Sequence, residues 1–265
     1  MMLQIFDVEH GACALLTCDN DTRIMIDCGH NGSSGWFPGS HLKRYGVDHL
    51  EMLVVTNYDE DHVSGIENLR GSVSIGFLLR NKSVTADTLK KLKSEDGMGP
   101  GIDNLCEMIG AYSGTGEPPF FQGLVRKTFR NIYPTFDDEN NLSLVVKFEC
   151  NGIGVLFTGD LEKAGWLKLL EDSSFANELK SVHVLIASHH GRESGCCEDA
   201  MKLMSQLYFV VISDKGYEHE TQETLDFYRR FARGGEFRGK KRQVLTTRND
   251  GMIAFNFGSG TWGPR

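Results

Sequence analysis

Three apolar runs in this chain each stop at metal-ligating side chains, and no other feature restricts the fold as strongly. Residues 51–56 run into Asn57-Tyr-Asp-Glu-Asp-His62, residues 154–158 into Gly159-Asp160, and residues 184–187 into Ser188-His-His-Gly191. A strand that ends in a tight polar loop aims its oxygen and imidazole donors at one point beyond its end, and such a mixed set suits a hard or borderline divalent ion. Taken singly, Asp61 and Asp160 read as helix caps and His189 as a satisfied loop histidine. Three such strand ends in one chain argue instead for a shared site.

The rest of the pattern supplies the sheets that such a site needs. Runs rich in β-branched and aromatic residues recur at 3–6, 12–17, 23–27 and 52–56, each broken by Gly, Asn or Asp. A helical stretch at 63–69, a strand at 74–79 and a charged amphipathic helix at 84–93 follow. Further on, strands at 142–150 and 153–158 give way to strands alternating with helices up to residue 257. Strands first, then strands alternating with helices, predict an α/β (α+β) protein of two stacked sheets with helices outside. The pattern weakens over 94–130, where glycines and prolines flank a short helix near 102–111, and this segment is expected to be an insertion or lid on a single domain spanning 1–265.

Composition narrows the class further. With 40% hydrophobic and 24% charged residues the chain has material for a sizeable core and a solvated surface, and extensive disorder is not expected. The opening residues carry no basic leader or cleavage site, and no apolar run is long enough to cross a bilayer, so a cytoplasmic location with no membrane partner is expected. Seven scattered cysteines without a Cys-x-x-Cys pair read as reduced thiols. A net charge of −8 argues against general attraction to polyphosphate, although a local basic surface remains open. One candidate is the group Arg229, Arg230, Arg233, Arg238, Lys240, Lys241 and Arg242, which reads either as a steering patch or as a solvated helix end and loop.

The motifs resemble those of the metallo-β-lactamase superfamily and, within it, of the soluble hydrolase domain of ComEC-type competence proteins. The resemblance lies in Phe6-Asp-Val-Glu-His-Gly11 for that group's DVGQG opening, Met25-Ile-Asp-Cys-Gly29 for its IDTG turn, and residues 57–62 for its HxDxDH loop. Asn141-Leu-Ser-Leu144 matches its N-x-S-L strand, Phe157-Thr-Gly-Asp160 its LTGD and Ser188-His-His-Gly191 its HHG. The resemblance implies a four-layer αββα sandwich with one or two divalent ions, Zn²⁺ or Mn²⁺, at one edge. It also implies a hydrolase, a phosphodiesterase or nuclease in which metal-activated water attacks nucleic acid or a nucleotide. On this likeness Asp61, His62 and His189 form one metal site, Asp160 bridges, and Asp59 anchors a second ion. His190 and His219 are candidates for protonating the leaving oxygen or holding a non-bridging one, and Asp61 is placed with them at the reacting centre. Asp7, Asp27 and Asn141 take supporting roles.

One departure bears on the chemistry: Asn57 stands where the family has histidine, and an amide oxygen is the weaker ligand. Asn57 is either a weak ligand or a group orienting Asp59 or the attacking water, the latter leaving a mononuclear or Mn²⁺-preferring centre. Two other functions stay open at this stage. One is hydrolysis of a lactone, thioester or amide, and the other is a decayed centre serving as a binding or regulatory module.

Overall fold

The computed structural model describes residues 1–94, 97–112, 116–215, 223–258 and 261–265. Two large sheets form its centre. The first holds seven strands in the spatial order Thr261–Pro264, Ile253–Gly258, Met2–Ile5, Cys13–Thr17, Arg23–Cys28, Met52–Val54 and Leu78–Leu79. The second holds six, in the order Val244–Thr246, Phe209–Ile212, Val182–Ile186, Ile153–Phe157, Leu144–Cys150 and Leu124–Arg130. Antiparallel hairpins build the start of each sheet and parallel crossovers extend it, and the first sheet is finished on its other flank by the antiparallel strands Ile253–Gly258 and Thr261–Pro264. Parallel neighbours cannot be joined by a tight turn, which is why helices appear between them.

Strand alternation produces three separate cores. On the strand Arg23–Cys28, Ile24 and Ile26 join Leu3, Val54, Val146, Phe157 and Val184 between the sheets. Met25, on the opposite face, joins Leu15, Leu53, Ile66, Leu69 and Leu105 beneath the helices over the first sheet. In the second sheet Val184 points inward, while Leu185 packs with Trp166, Phe175, Met201 and Tyr228 under the other helical layer. Because both faces are covered, these strands are nearly unbroken apolar runs. The four-layer αββα expectation holds.

Several predicted boundaries shift for local reasons. The helix expected at 63–69 is two short ones, Glu60–Val63 and Ile66–Ser72, and the strand expected at 74–79 divides into Ser74–Ile75 and Leu78–Leu79. The helix Pro38–Arg44 and the hairpin of Gly235–Phe237 with Lys240–Arg242 were not anticipated, being too short to show a period. The larger difference concerns the expected lid. Over its described residues, 94–130 contains the helix Pro100–Ala111, whose Ile102, Leu105, Met108 and Ile109 are buried in the core over the first sheet, and Leu124–Arg130, which forms the edge of the second sheet. The glycines and prolines that suggested a loose insertion bound a packed helix instead. Among the described residues no helix is long and apolar enough to cross a membrane.

The strand ends meet at one rim of the sandwich. Thr56 O accepts a hydrogen bond from Leu144 N at 2.7 Å, His189 N donates to Gly159 O at 3.0 Å, and Ser213 Oγ donates to Gly11 O at 2.6 Å, so loops of both sheets are laced together there. Close approach requires glycine at Gly29, where an added Cβ would lie 2.3 Å from Asp61 O. Gly29→Ala is therefore expected to push the 57–62 loop outward and to cost about 1–3 kcal/mol, the usual range for overpacking. Urea unfolding checks this, and an unchanged midpoint would show that the loop yields freely.

Candidate metal centre

The rim gathers its chemistry from the ends of five strands. Asp27 ends Arg23–Cys28 in the left-handed region, with φ 54°, and this turns its carboxylate across to the neighbouring strand end. There Asp27 Oδ1 accepts from Thr56 N at 2.7 Å and Oδ2 from Thr56 Oγ1 at 2.5 Å. The same Oδ2 lies 3.0 Å from His62 Nδ1. A proton on Nδ1 directed at Asp27 leaves Nε2 as the outward-facing nitrogen of His62, an arrangement common behind metal-bound imidazoles.

His62 Nε2 faces Asp160 Oδ1 at 3.0 Å. Asp160 is in turn braced from behind, its N–H donating to Ser143 Oγ at 3.0 Å. His190 enters from the third loop. Its Nδ1 lies 3.0 Å from the carbonyl of Ser213, which fixes the proton there and turns Nε2 inward, 3.1 Å from Asp61 Oδ2 and 3.5 Å from Asp160 Oδ1. Although buried, His190 Nε2 makes no well-directed hydrogen bond to either carboxylate. His62, Asp160 and His190 thus present one ligand atom each within 4.8 Å of one another, and Asp61, His190 and His10 do the same. The two groups share His190, whose buried nitrogen is aimed between the carboxylates and left without a good partner. The donor set fits a divalent ion.

The electrostatics of these groups follow from that crowding. Burial disfavours charge on His62, but Asp160 and Asp27 outweigh it and hold its pKa well above the ordinary histidine value. His190 is raised in the same way, against its burial, by Asp160 and Asp61. For Asp61, burial is overcome by its close contact with His190 and the nearby charge of His62, and its pKa falls to about 2. Asp160 is likewise held well below the carboxylate range, against its burial, by His62 and His190. In the absence of metal, protons on the imidazoles compensate the carboxylates.

The sequence-predicted residues divide into those brought together here and those placed elsewhere. Asp61, His62 and Asp160 converge, and the histidine that joins them is His190 and not His189. His189 Nδ1 lies 2.9 Å from Ser194 Oγ and 3.3 Å from Glu162 Oε1, while its Nε2 receives Arg192 Nη1 at 3.1 Å. Burial, with Arg192 adding to it, lowers the His189 pKa, and its one lone pair faces the guanidinium. Both histidines and Gly191 have positive φ, at 50°, 51° and 80°, so the chain turns sharply and sends adjacent imidazoles in different directions. Sequence order alone does not reveal which one faces inward.

Asn57 and Asp59 stand apart from the cluster. Asn57 is fully buried, its Oδ1 accepting from Asp59 N at 2.7 Å and its Nδ2 donating to Ser143 Oγ at 3.1 Å. Asp59 is ion-paired with Lys93, which also holds Glu139. Asn141 accepts from Gly165 N at 2.8 Å and Asp7 from Glu9 N at 3.3 Å, both bracing roles. His219 lies outside the described residues. Part of the basic group is used locally: Arg242 pairs with Asp250, Arg229 with Asp226, and Arg233 donates to Ser205 O.

Two residues of the rim carried no signal in the sequence. His10 packs tilted beside His190 with ring centroids 4.4 Å apart, and its Nε2 lies 3.8 Å from Asp61 Oδ2. Arg192 reaches His10 Nε2 at 3.2 Å as well as His189. His10 occupies the fourth position of the opening motif, where the resembled family has glutamine, and only that departure could have singled it out. Behind the ligands lies a cavity of about 30 Å³ between the sheets, bordered by Thr56, His62, Asp160 and His190 on one side and Ile5, Ile26 and Phe157 on the other. That space suffices for one water molecule.

Comparisons with known proteins agree with this architecture. The ComE operon protein 3 of Bacillus subtilis is 24% identical over 254 residues, covering 89% of this chain and 30% of that protein. The competence protein ComA of Neisseria gonorrhoeae is 22% identical over 258 residues, covering 97% of this chain and 32% of that protein. The chain thus spans about a third of the length of these curated relatives. Among solved structures, the CmlA beta-hydroxylase E377D mutant superposes with a TM-score of 0.53 at 11% identity, over 95% of this chain and 53% of that one. A diphosphatase of the PhnP family gives a TM-score of 0.47 at 8% identity, over 97% and 98% of the two chains. The model of the metallo-beta-lactamase superfamily matches residues 7–193, which contain all four converging ligands, and the chain belongs to that superfamily.

Proposed function

We propose that the protein is a metal-dependent phosphodiesterase or nuclease acting on nucleic acid or nucleotides, with Asp61, His62, Asp160 and His190 holding the ion. The observation that carries the metal-dependent reading is the buried His190 Nε2, aimed between two carboxylates and lacking a well-directed partner. An ion in this set supplies Lewis acidity and lowers the pKa of a coordinated water towards neutrality. The protein's own share is orientation. Asp27 and the Ser213 carbonyl fix the two imidazole tautomers, and Ser143 holds the Asp160 backbone.

The substrate class is supported by Arg192. Its guanidinium touches two imidazole nitrogens at the rim, its Nε is buried without a partner, and among the described residues no carboxylate pairs with it. An uncompensated cation beside the ligands favours an anionic group, and the guanidinium fork matches phosphate oxygens. A neutral lactone or amide has no use for it. The similarity to competence proteins points the same way. Donation from Arg192 to His10 and His189 also keeps both Nε2 atoms unprotonated, so protonation of the leaving group falls to water.

Three outcomes are expected. His190→Ala should lower metal affinity by more than the 10- to 100-fold typical of losing an outer partner, and His189→Ala by less; metal content after identical dialysis measures both, and the reverse order would return the ligand role to His189. Arg192→Met should raise KM for a simple phosphodiester such as bis(4-nitrophenyl) phosphate by about 10- to 100-fold, the worth of a charged hydrogen bond, while hydrolysis of a neutral ester changes little. Equal losses on both substrates would remove the argument for an anionic substrate.

The third outcome concerns pH. The His62 and His190 pKa values are raised in the metal-free fold, so their stabilisation is complete below the unfolded histidine value, about 6.5, and is lost as pH rises through the folded values. The melting temperature of metal-free protein should therefore fall from pH 6 to pH 9. Metal binding displaces those protons, so the rise in melting temperature on adding Zn²⁺ or Mn²⁺ should be larger at pH 8 than at pH 6. A metal-induced rise that is equal at both values would mean that the imidazoles do not exchange a proton for the ion.

A further inference from the structure

We infer that the centre is built for a single divalent ion and that the buried ammonium of Lys93 stands in the place of a second. This rests on the metal-centre reading above and concerns the half of the motif loop that the ion does not use. Asn57 and Asp59 are the positions of the motif loop from which a second ion would be held on the family pattern, and both are already engaged. The Asn57 oxygen accepts from Asp59 N at 2.7 Å, and its nitrogen donates to Ser143 Oγ at 3.1 Å and to Glu139 O at 3.3 Å. Asp59 Oδ1 is paired with Lys93, which also pairs with Glu139 while its side chain is only 5% exposed.

Charge balance decides between one ion and two. Asp61 and Asp160 turn two negative charges towards the ion, which one divalent ion neutralises with His62 and His190 neutral, while the third carboxylate, Asp27, is engaged behind by His62 Nδ1 and Thr56. Asp59 and Glu139 carry two more, already met in part by Lys93 at contact distance. A second ion there would have to expel a buried ammonium or sit beside it, and both are costly where water is scarce. The helix Ala86–Leu92, which ends at Lys93, delivers this cation from the layer over the first sheet. Lys93 is thus a positioning residue: it anchors Asp59, and through Asn57 and Ser143 that anchor is continuous with the backbone of Asp160.

The test is metal stoichiometry of the full chain, loaded with excess Mn²⁺ and dialysed, read by elemental analysis and by electron paramagnetic resonance. One Mn²⁺ per chain with an uncoupled signal is expected for the parent, for Asp59→Asn and for Lys93→Arg. The double substitution Asn57→His with Lys93→Ala, shown by circular dichroism to be folded, should rise towards two ions and give a spin-coupled signal. Two ions in the parent, or a lower count in Asp59→Asn, would overturn the proposal, as would a folded double variant that still holds one. If the double variant does not fold, the parent and Asp59→Asn counts decide. No ion in the parent would overturn the metal-centre reading itself, a failure distinct from finding two.

Discussion

The carboxylate of Asp27 is the contact on which the centre depends. Its two oxygens hold the backbone and hydroxyl of Thr56 and the Nδ1 of His62, so one side chain joins two parallel strand ends and sets the orientation of a ligand. The contact forms only because Asp27 leaves its strand with positive φ, a conformation that aspartate tolerates better than most residues. Without it, His62 would lose the partner that sets its tautomer, although the loop would keep its other ties, among them Asn57 to Ser143 and Glu60 to Gly101 N.

From that contact outward, the site is a series of braced pairs. Three of the four inward-facing donors have a partner behind them: Asp27 behind His62, the Ser213 carbonyl behind His190, Ser143 behind the Asp160 backbone. The braces come from both sheets, and the sheets are held in register by the apolar layer between them. Rigidity of the sandwich therefore becomes precision at its rim, which is what a preorganised ligand set requires. The arrangement also explains why the cost of crowding carboxylates is bearable. Protons on His62 and His190, or an ion in their stead, meet the charge of Asp61 and Asp160, and Lys93 meets that of Asp59.

The sheets and the strand-end ligands were legible because both depend on local pattern. A two-sided buried strand is a run of apolar residues, and the ligand follows where the run ends, as at Asp160 after Phe157. The αββα layering followed from strand order. What pattern could not supply was direction. His189 and His190 are adjacent and identical in type, and only the left-handed turn through both decides that His190 faces the carboxylates. Lys93, Arg192 and His10 were equally hidden, because each reaches the rim from a loop or helix end whose sequence resembles any solvated segment. The supposed lid misled for the opposite reason: its glycines looked like looseness, yet Gly101 lies close against Val63 and Glu60, whose carboxylate receives Gly101 N at 2.8 Å.

The pairing of Met2–Ile5 with Ile253–Gly258 has a consequence for how the chain is assembled. The first sheet carries the loop with Asp61 and His62, yet the partner on one side of its N-terminal strand is about 250 residues away in sequence. During synthesis the ribosome releases the motif loop, Asp160 and both histidines before that partner exists, and for that interval one flank of the strand is an open edge. Contacts of such separation are slow to close, and open edges invite pairing between nascent chains. The four side chains proposed to hold the ion, by contrast, all lie between residues 61 and 190, so an ion bound there could tie the two sheets together while the C-terminal strands are still missing. In this protein the metal would then guard the chain against misassembly well before it serves any reaction.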